Sequence, residues 1–427
     1  MTGEVFREGR DGNLRPAQRV APSYDSIVIN SGGIGAITLA ARLAREPAFQ
    51  DRVIVAAKPV TETRQLLDGC TLRARSIDYY AAAAGTTRED IVTGIYGSGA
   101  AEAETHRQMA SLARMHDGRI HFVRPGAWMT NTGVRPDRTE GAPLAYGVRN
   151  SRLMATLHEK AAQAGVRFER SGAHSHDELL ALANGKNPLI VNGTPKPVQG
   201  TAWKRRPAAP KHFVAAVQMA FTAPRLKTAG VLRQRDSFVG FIHRDGALDM
   251  GVYYPFLDPL SPNARYYGIF YRIVRDGTEA KRDTHQQSLR EEVEAVGDAL
   301  GLAPDDSDIT AAAAWVPVSP WSFTASRQMH VLDLSCISGA GAPIITGDGM
   351  TRAGLGAMAA AEALIEGTDP ERAMNRALSH YRRLNHLQAN AMTRAPGLSA
   401  WMLARAPKFA MMGPGRSRDW DMWAGAW

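Results

Sequence analysis

The sequence predicts an α/β protein: a three-layer, doubly wound domain split along the chain, an antiparallel sheet inserted into it, and a helical C-terminal region. Three observations carry this expectation. Residues 25–58 read as strand, glycine turn, helix and strand. Residues 207–275 hold four runs in which apolar residues alternate or cluster with aromatics. Residues 342–367 read as strand, Gly-Asp turn and a helix of small residues.

Each element follows from its pattern. Asp25–Ile29 is an apolar β run, and Ile34–Arg45 places Ile34, Ile37, Ala41, Leu43 and Ala44 at helical spacing. "DRVIVAAK" (Asp51–Lys58) is a second short buried strand, which completes the βαβ unit that opens doubly wound folds. From Thr61 to Arg138 the pattern is irregular, with an alanine tract at Ala81–Ala84 and a helix expected through Arg107–Met115. Ser151–Glu169 reads as an amphipathic helix stopped by Gly165 and followed by a strand, and Asn187–Gly193 as a short buried strand. The runs "HFVAAVQMAFT", "SFVGFIHRDG", "ALDMGVYYPFL" and "RYYGIFYRIV" suit an antiparallel sheet. A helix at Ser288–Leu300, a strand "APIIT", a turn "GDGM" and an alanine-rich helix to about Ile365 follow, with further helices from Pro370. The expected division is a leader over 1–22, the doubly wound domain from 23–80, 140–200 and 325–370, the inserted domain from 81–139 and 201–324, and a helical region over 371–427.

Composition narrows the function classes. At 427 residues, with 44% hydrophobic and 22% charged residues, the chain suits a globular protein of two packed domains. Two cysteines, Cys70 and Cys336, give no disulfide framework and suit a reducing, cytoplasmic setting. The net charge of +9 raises the question of an anionic partner; the arginine excess could attract a pyrophosphate or equally reflect genome composition. Its densest stretch, "WKRRPAAPK", is flanked by prolines and joins no nucleic-acid motif, so no nucleic-acid partner is expected. No apolar run approaches the roughly 20 residues that span a bilayer, and the first residues lack the apolar core of a secretory signal.

Two motifs carry chemistry. A dinucleotide pyrophosphate needs backbone N–H groups at a helix N-terminus, approached with no Cβ in the way. Laid on the GxGxxG pattern, this chain reads "SGGIGA": Ser31, Gly33 and Ala36 in the three positions, with Gly32, Ile34 and Gly35 between them. Gly33 keeps the position nearest the phosphates and Ala36 is an accepted variant. Ser31 is the departure, costing about 1 kcal/mol where the turn needs an unusual φ. The carboxylate that usually ends the second strand and holds the ribose hydroxyls is absent; that strand ends Ala56-Ala57-Lys58, and Lys58 could meet a phosphate instead. The second motif is "APIITGDGMTRAGLGAMAAAEALIEG". Gly347-Asp348 places a carboxylate at a strand end, where it can accept a ribityl hydroxyl, and the helix behind it is thinned by Gly354 and Gly356.

Together these residues resemble the FAD-dependent monooxygenases of the hydroxybenzoate-hydroxylase fold, a class that includes flavin halogenases and geranylgeranyl reductases. Within it the chain is most similar to the two-component styrene and indole monooxygenases. "PLAYGVRNSRLMATLHEKAAQAGVRFE", "NPLIVNG", "WVPVSPW" and "AMTRAPGLSAWMLARAPKFAMM" extend the likeness over most of the chain. The resemblance implies a Rossmann-like FAD-binding domain and an inserted substrate domain. It implies an oxidoreductase that passes one oxygen from O2 to an apolar or aromatic substrate through a flavin C4a-hydroperoxide, with reduced FAD, weakly held, supplied by a separate reductase. By position it assigns the pyrophosphate to Gly32, Gly33, Gly35 and Ala36, the phosphates to Arg149 and the ribityl chain to Asp348. Three departures stand out: a short loop after Asp348 with Thr351-Arg352 in place of a proline, Asn192-Gly193 where single-component hydroxylases carry Asp-Gly, and no WxWxIP halogenase signature. Halogenation, double-bond reduction, or a homologue that has lost FAD and serves as a binding partner are the alternatives these residues leave open.

No catalytic residue is assigned, because flavin chemistry asks the protein mainly for a dry, orienting pocket. The aromatics of the inserted sheet are core-like by spacing; Tyr254, Trp315 and Trp321 are the candidates for a substrate pocket. "HSHD" (His174–Asp177) reads as a solvated turn, and no metal site is expected.

Overall fold

The computed structural model describes residues 6–8, 14–16, 24–57, 69–97, 104–105, 107–122, 127–130, 133–134, 145–169, 175–194, 198–200, 212–224, 232, 236–244, 246–256, 265–275, 281–305, 312–318, 331–334 and 349–405. Among them, five short strands form a parallel sheet in the order Arg167–Glu169, Val53–Ala56, Ser26–Ile29, Pro188–Asn192, Val331–Asp333. The first strand of the chain to enter it, Ser26–Ile29, therefore lies at its centre, and the strand order reverses between it and Pro188–Asn192. This is the doubly wound topology, with its switch point at that junction.

The strands read as continuous apolar runs because both faces are covered. Ile27, Ile29, Val53, Val55, Leu189 and Val191 point to one face, into a core shared with helices Ile34–Ala44, Ala74–Ala84, Arg88–Tyr96, Asn150–Gln163 and Gly349–Ile365. Val28, Ile54, Ala56 and Ile190 point to the other, against Leu179 of the short helix His176–Leu182. The result is three layers. Ion pairs tie the helices of the larger layer: Arg42 Nε donates to Glu362 Oε1 at 2.7 Å and its Nη2 to Oε2 at 3.2 Å. Arg88 grips Asp78 with two N–H groups in the same way.

The expected helix at Arg107–Met115 is instead a ten-residue strand, Arg107–His116. Its Met, Ala, Leu and Arg residues are good helix formers, but pairing decides. It runs parallel to Asp236–Arg244 and antiparallel to Ala127–Thr130, with Met109 and Ala113 reaching the second core. Helix Arg88–Tyr96 lies in the core of the first unit through Ile91, Val92 and Ile95, so the segment 81–139 divides between the two units. Near the N-terminus, Phe6–Glu8 and Leu14–Pro16 pair as a small antiparallel sheet. The expected strand "APIIT" lies outside the described residues.

The inserted sheet has ten strands among the described residues, built on His212–Thr222, Asp236–Arg244, Ala247–Phe256 and Arg265–Arg275. It is mixed rather than purely antiparallel, because Arg107–His116 joins parallel. One face packs against helix Arg282–Ala299 through Phe221, Phe238, Tyr253 and Phe270, whose rings meet at 5.4 to 6.1 Å. Room for these rings comes from Gly251, where a Cβ would lie 2.1 Å from Phe270 Cζ. The Tyr253 hydroxyl donates to the Val293 carbonyl of the helix. Helices Pro370–Arg394 and Pro396–Arg405 follow as expected; the latter lies against Asp236–Arg244 and Ala247–Phe256. The two units touch where the Pro255 carbonyl presses on Gly147 of the strand Ala145–Arg149, so closely that a Cβ there would lie 2.1 Å from the oxygen.

A buried polar knot pins helix Arg282–Ala299 to the sheet. Arg272 Nε donates to Asp249 Oδ1 at 2.7 Å, and Nη2 donates to Glu292 Oε1 at 3.2 Å and Ser288 Oγ at 3.3 Å. The Asp249 and Glu292 side chains are fully buried. Burial, and then the adjacent Asp249 carboxyl, push Glu292 from its ordinary 4.5 up to about 10, so it keeps its proton at neutral pH. Between those two values the folded chain binds a proton that the unfolded chain has released, and stability therefore falls as pH rises through that window. Glu292→Gln removes this slope. Thermal unfolding at pH 6 and pH 9 should show a smaller loss of Tm for the variant than for the parent; an equal loss would contradict the assignment.

Candidate dinucleotide site

The "SGGIGA" turn sits at the switch point of the parallel sheet, between the carboxyl end of Ser26–Ile29 and the start of helix Ile34–Ala44. Gly33 is the N-cap residue, extended at φ −70° and ψ 164°, and no side chain among the described residues caps the helix N-terminus. The amides of Ile34, Gly35 and Ala36 are the first of the helix and have no intrahelical acceptor. The first turn carries no acidic side chain. Among the described residues a Cβ built on Gly33 would meet only the Ser31 hydroxyl, at 3.3 Å. Among the described residues the turn therefore presents uncapped amides with no acidic side chain in the first helical turn, the setting an anion needs.

Ser31 does not strain the turn. Positive φ among non-glycine residues is confined to Asp51 and Asp117 among the described residues, so the left-handed backbone that would favour glycine at the first position is not used. Its hydroxyl accepts the Gly33 N–H at 3.1 Å. Room for the side chain comes from across the switch point: a Cβ on Gly193 would lie 2.5 Å from Ser31 Cβ and 3.3 Å from Ala36 Cβ. The missing first glycine is thus supplied by its neighbour strand.

A chain of buried amides and a carboxyl group fixes that neighbour. Asn30 Nδ2 donates to Asn192 Oδ1 at 3.0 Å, and Gly193 N–H donates to Asn30 Oδ1 at 2.8 Å. The same Asn192 oxygen accepts the Thr194 N–H at 3.2 Å and hydroxyl at 2.9 Å. Asn192 Nδ2 donates to Asp333 Oδ1 at 3.4 Å. Asn30, Asn192 and Asp333 lie at or just after the carboxyl ends of three adjacent strands and are nearly inaccessible. A carboxylate in place of Asn192 would face Asp333 across a buried gap, which accounts for the Asn-Gly found here. Neither Asn30 nor Asp333 belongs to the two motifs legible in the sequence. The adjacency of Asn30 to the glycine turn was a usable signal, whereas Asp333 sits in a strand with no clear pattern.

On the side that faces the second strand, the turn is held by His158 of helix Asn150–Gln163. Its Nε2 lies 2.9 Å from the Gly32 carbonyl, and its ring stacks on Phe168 at 5.1 Å and 21°. Burial lowers its pKa below the ordinary imidazole value, opposed by the Gly32 hydrogen bond. Gly35 brings helix Ile34–Ala44 onto Gly349–Ile365, with the Ala353 carbonyl 3.4 Å from where a Cβ would be.

The second motif is described from Gly349 onward. Its helix is docked on Ala74–Ala84: the Tyr80 hydroxyl donates to the Met350 carbonyl at 2.7 Å, Thr351 and Ser76 share a hydroxyl contact, and Arg352 is fully buried. Gly354 faces Tyr80 and Gly356 faces Leu378, at 3.1 Å for a built Cβ in each case, so both glycines serve helix packing. Lys58, Trp321, Gly347 and Asp348 lie outside the described residues. Arg149 ends the strand Ala145–Arg149 opposite Gly69, and Trp315 stands in the strand Ala312–Val318 opposite Ala215. Tyr254 is 1% exposed and packs on Tyr267 and Ala220. "HSHD" contains a helix start: Ser175 and Glu178 form a reciprocal capping box ahead of His176–Leu182, and His174 lies outside the described residues.

The Ser31–Gly193 contact makes a direct prediction. Gly193→Ala should destabilise the fold by about 1–3 kcal/mol through overpacking. Combined with Ser31→Gly, the loss should shrink, because the clashing partner is gone. Denaturant unfolding of the two single variants and the double variant checks this; strictly additive losses would contradict the contact.

No family model matches the chain, and no curated protein matches it. Solved structures do. The tetrameric form of 2-methyl-3-hydroxypyridine-5-carboxylic acid oxygenase superposes with a TM-score of 0.52 at 14% identity, over 91% of this chain and 94% of that one. FqzB gives 0.51 at 12% identity, over 92% and 89%. A tryptophan 6-halogenase (SttH) from Streptomyces toxytricini gives 0.50 at 13% identity, over 93% and 81%. At these identities the likeness is one of fold, and it spans nearly the whole chain. The protein has the α/β fold that its sequence resemblance implies, one it shares with an oxygenase and a tryptophan halogenase.

Proposed function

We propose that the protein is an FAD-dependent oxidoreductase, a monooxygenase that transfers one oxygen from O2 to a small apolar or aromatic substrate and takes reduced flavin from a separate reductase. The observation that carries this reading is the uncapped helix N-terminus behind Gly33, placed at the switch point of a doubly wound sheet. The fit is good on three counts. Gly33 is exposed and carries no Cβ, the first helical turn has no acidic side chain and no side-chain cap among the described residues, and the whole chain carries a net charge of +9.

The amides of Ile34, Gly35 and Ala36 would hold the pyrophosphate. Lys58, Arg149 and Asp348 are the further candidates, the first two for the phosphates and the last for the ribityl chain. Bound reduced flavin supplies the oxygen-activating chemistry. The protein's part is to bind, orient and keep water out. A cofactor borrowed in its reduced form needs no tight permanent grip, which agrees with the loss of the ribose carboxylate at Ala57. Trp315, Trp321 and Tyr254 remain the candidates for contact with substrate.

Two measurements test the reading. Anaerobic titration should give tighter binding for reduced FAD than for oxidised FAD, by about tenfold or more, the margin of one good charge-assisted contact; absence of binding in both states would overturn it. Gly33→Asp should separate site from fold. Aspartate is a favourable N-cap in the extended conformation Gly33 already has, so Tm should hold or rise slightly, while a carboxylate in the phosphate's place should abolish FAD binding. Undiminished FAD binding by this variant would remove the turn from the site.

A further inference from the structure

In a doubly wound fold the ribose next to the pyrophosphate is normally held by a carboxylate ending the second strand. Here that position is Ala57, and another side chain stands beside it. A Cβ built on Gly32 would lie 3.2 Å from Ala57 Cβ and 3.1 Å from His158 Cε1. Gly32, Ala57 and His158 thus converge at one point, on the side of the turn that faces the second strand. Among the described residues Glu169, which ends the neighbouring strand, is engaged by Arg167 Nε at 3.1 Å.

The hydrogen bond that His158 makes fixes what it can offer. The Gly32 carbonyl can only accept, so Nε2 carries the proton and donates, and in the neutral ring Nδ1 carries the lone pair. Among the described residues Nδ1 takes no hydrogen bond. The stack on Phe168 sets the ring plane, and burial favours the neutral form. The ring that meets Gly32 beside Ala57, where the carboxylate acceptor is missing, therefore carries an acceptor.

We propose that His158 replaces the absent carboxylate, accepting a hydroxyl of the adenosine ribose at Nδ1 while Nε2 holds the Gly32 peptide of the phosphate turn. The inference rests on the FAD reading and deepens it: the ligand must contain an adenosine ribose joined to a pyrophosphate. His158 is a positioning and specificity residue with no part in the oxygen chemistry. Its neutral acceptor gives a weaker hold than a carboxylate, in keeping with a cofactor that is exchanged.

The test uses the full chain and measures binding by calorimetry, with ADP, 2′-deoxy-ADP, 3′-deoxy-ADP and FAD as probes. The parent protein should bind ADP about tenfold more tightly than one of the deoxy analogues, the value of one hydrogen bond of about 1.4 kcal/mol. His158→Phe keeps the ring on Phe168 but loses both nitrogens; it should weaken ADP and FAD about tenfold and erase the preference for the hydroxyl. His158→Gln, which carries a donor and an acceptor on one carbon as the imidazole does on Cε1, should restore much of both. A merely structural His158 would weaken ADP and the deoxy analogues alike. Equal binding of ADP and both analogues by the parent protein, or a preference that survives in His158→Phe, overturns the assignment while leaving FAD binding intact. Failure of the parent protein to bind either FAD or ADP overturns the FAD reading and this inference with it.

Discussion

The close approach of Gly193 to Ser31 is the constraint on which the site depends. Two parallel strands diverge at the switch point, and the gap between their carboxyl ends must be narrow enough to fix the glycine turn and wide enough to leave its amides exposed. The Asn30–Asn192 hydrogen bonds set that width, and the absence of a Cβ at Gly193 lets the Ser31 side chain fit inside it. A serine that looks like damage to a phosphate turn is therefore accommodated without backbone strain, and its hydroxyl occupies the Gly33 amide.

The remainder of the molecule supports that arrangement from two directions. Helix Asn150–Gln163 holds the glycine turn through His158, and helix Gly349–Ile365 packs on the turn helix through the small-residue contact at Gly35. The inserted sheet is stiffened separately, by its aromatic layer and by the Arg272, Asp249 and Glu292 knot under helix Arg282–Ala299. It meets the first unit at Gly147, where only glycine admits the Pro255 carbonyl. The polar knot lies on the helix-covered face of the inserted sheet, so its buried proton bears on stability and not on the dinucleotide turn.

Much of the fold was legible because local pattern and tertiary role agree. "SIVI", "VIVA" and "PLIVN" are buried on both faces and read as strands without further help, and the four aromatic runs hold the strands expected of them. Arg107–His116 departs from its local pattern because its residues favour a helix in isolation while its register is dictated by a partner strand more than a hundred residues away. The site was half legible. The turn could be named from its glycines, but its compensation at Gly193 depends on a spatial neighbour 162 residues from Ser31, which no local window contains. His158 gave no signal at all, since a histidine on an amphipathic helix looks like any other half-buried side chain. Gly354 and Gly356 illustrate the converse: small residues suggested a ligand, and the space they leave is taken by Tyr80 and Leu378.

The central claim is that the amides behind Gly33 hold an anionic dinucleotide. Amide hydrogen exchange of the peptide spanning residues 30–37, followed with and without saturating FAD, measures those groups directly. The account predicts slowed exchange confined to this turn and its immediate neighbours when FAD is present. Bound FAD with exchange unchanged across residues 30–37 would contradict it.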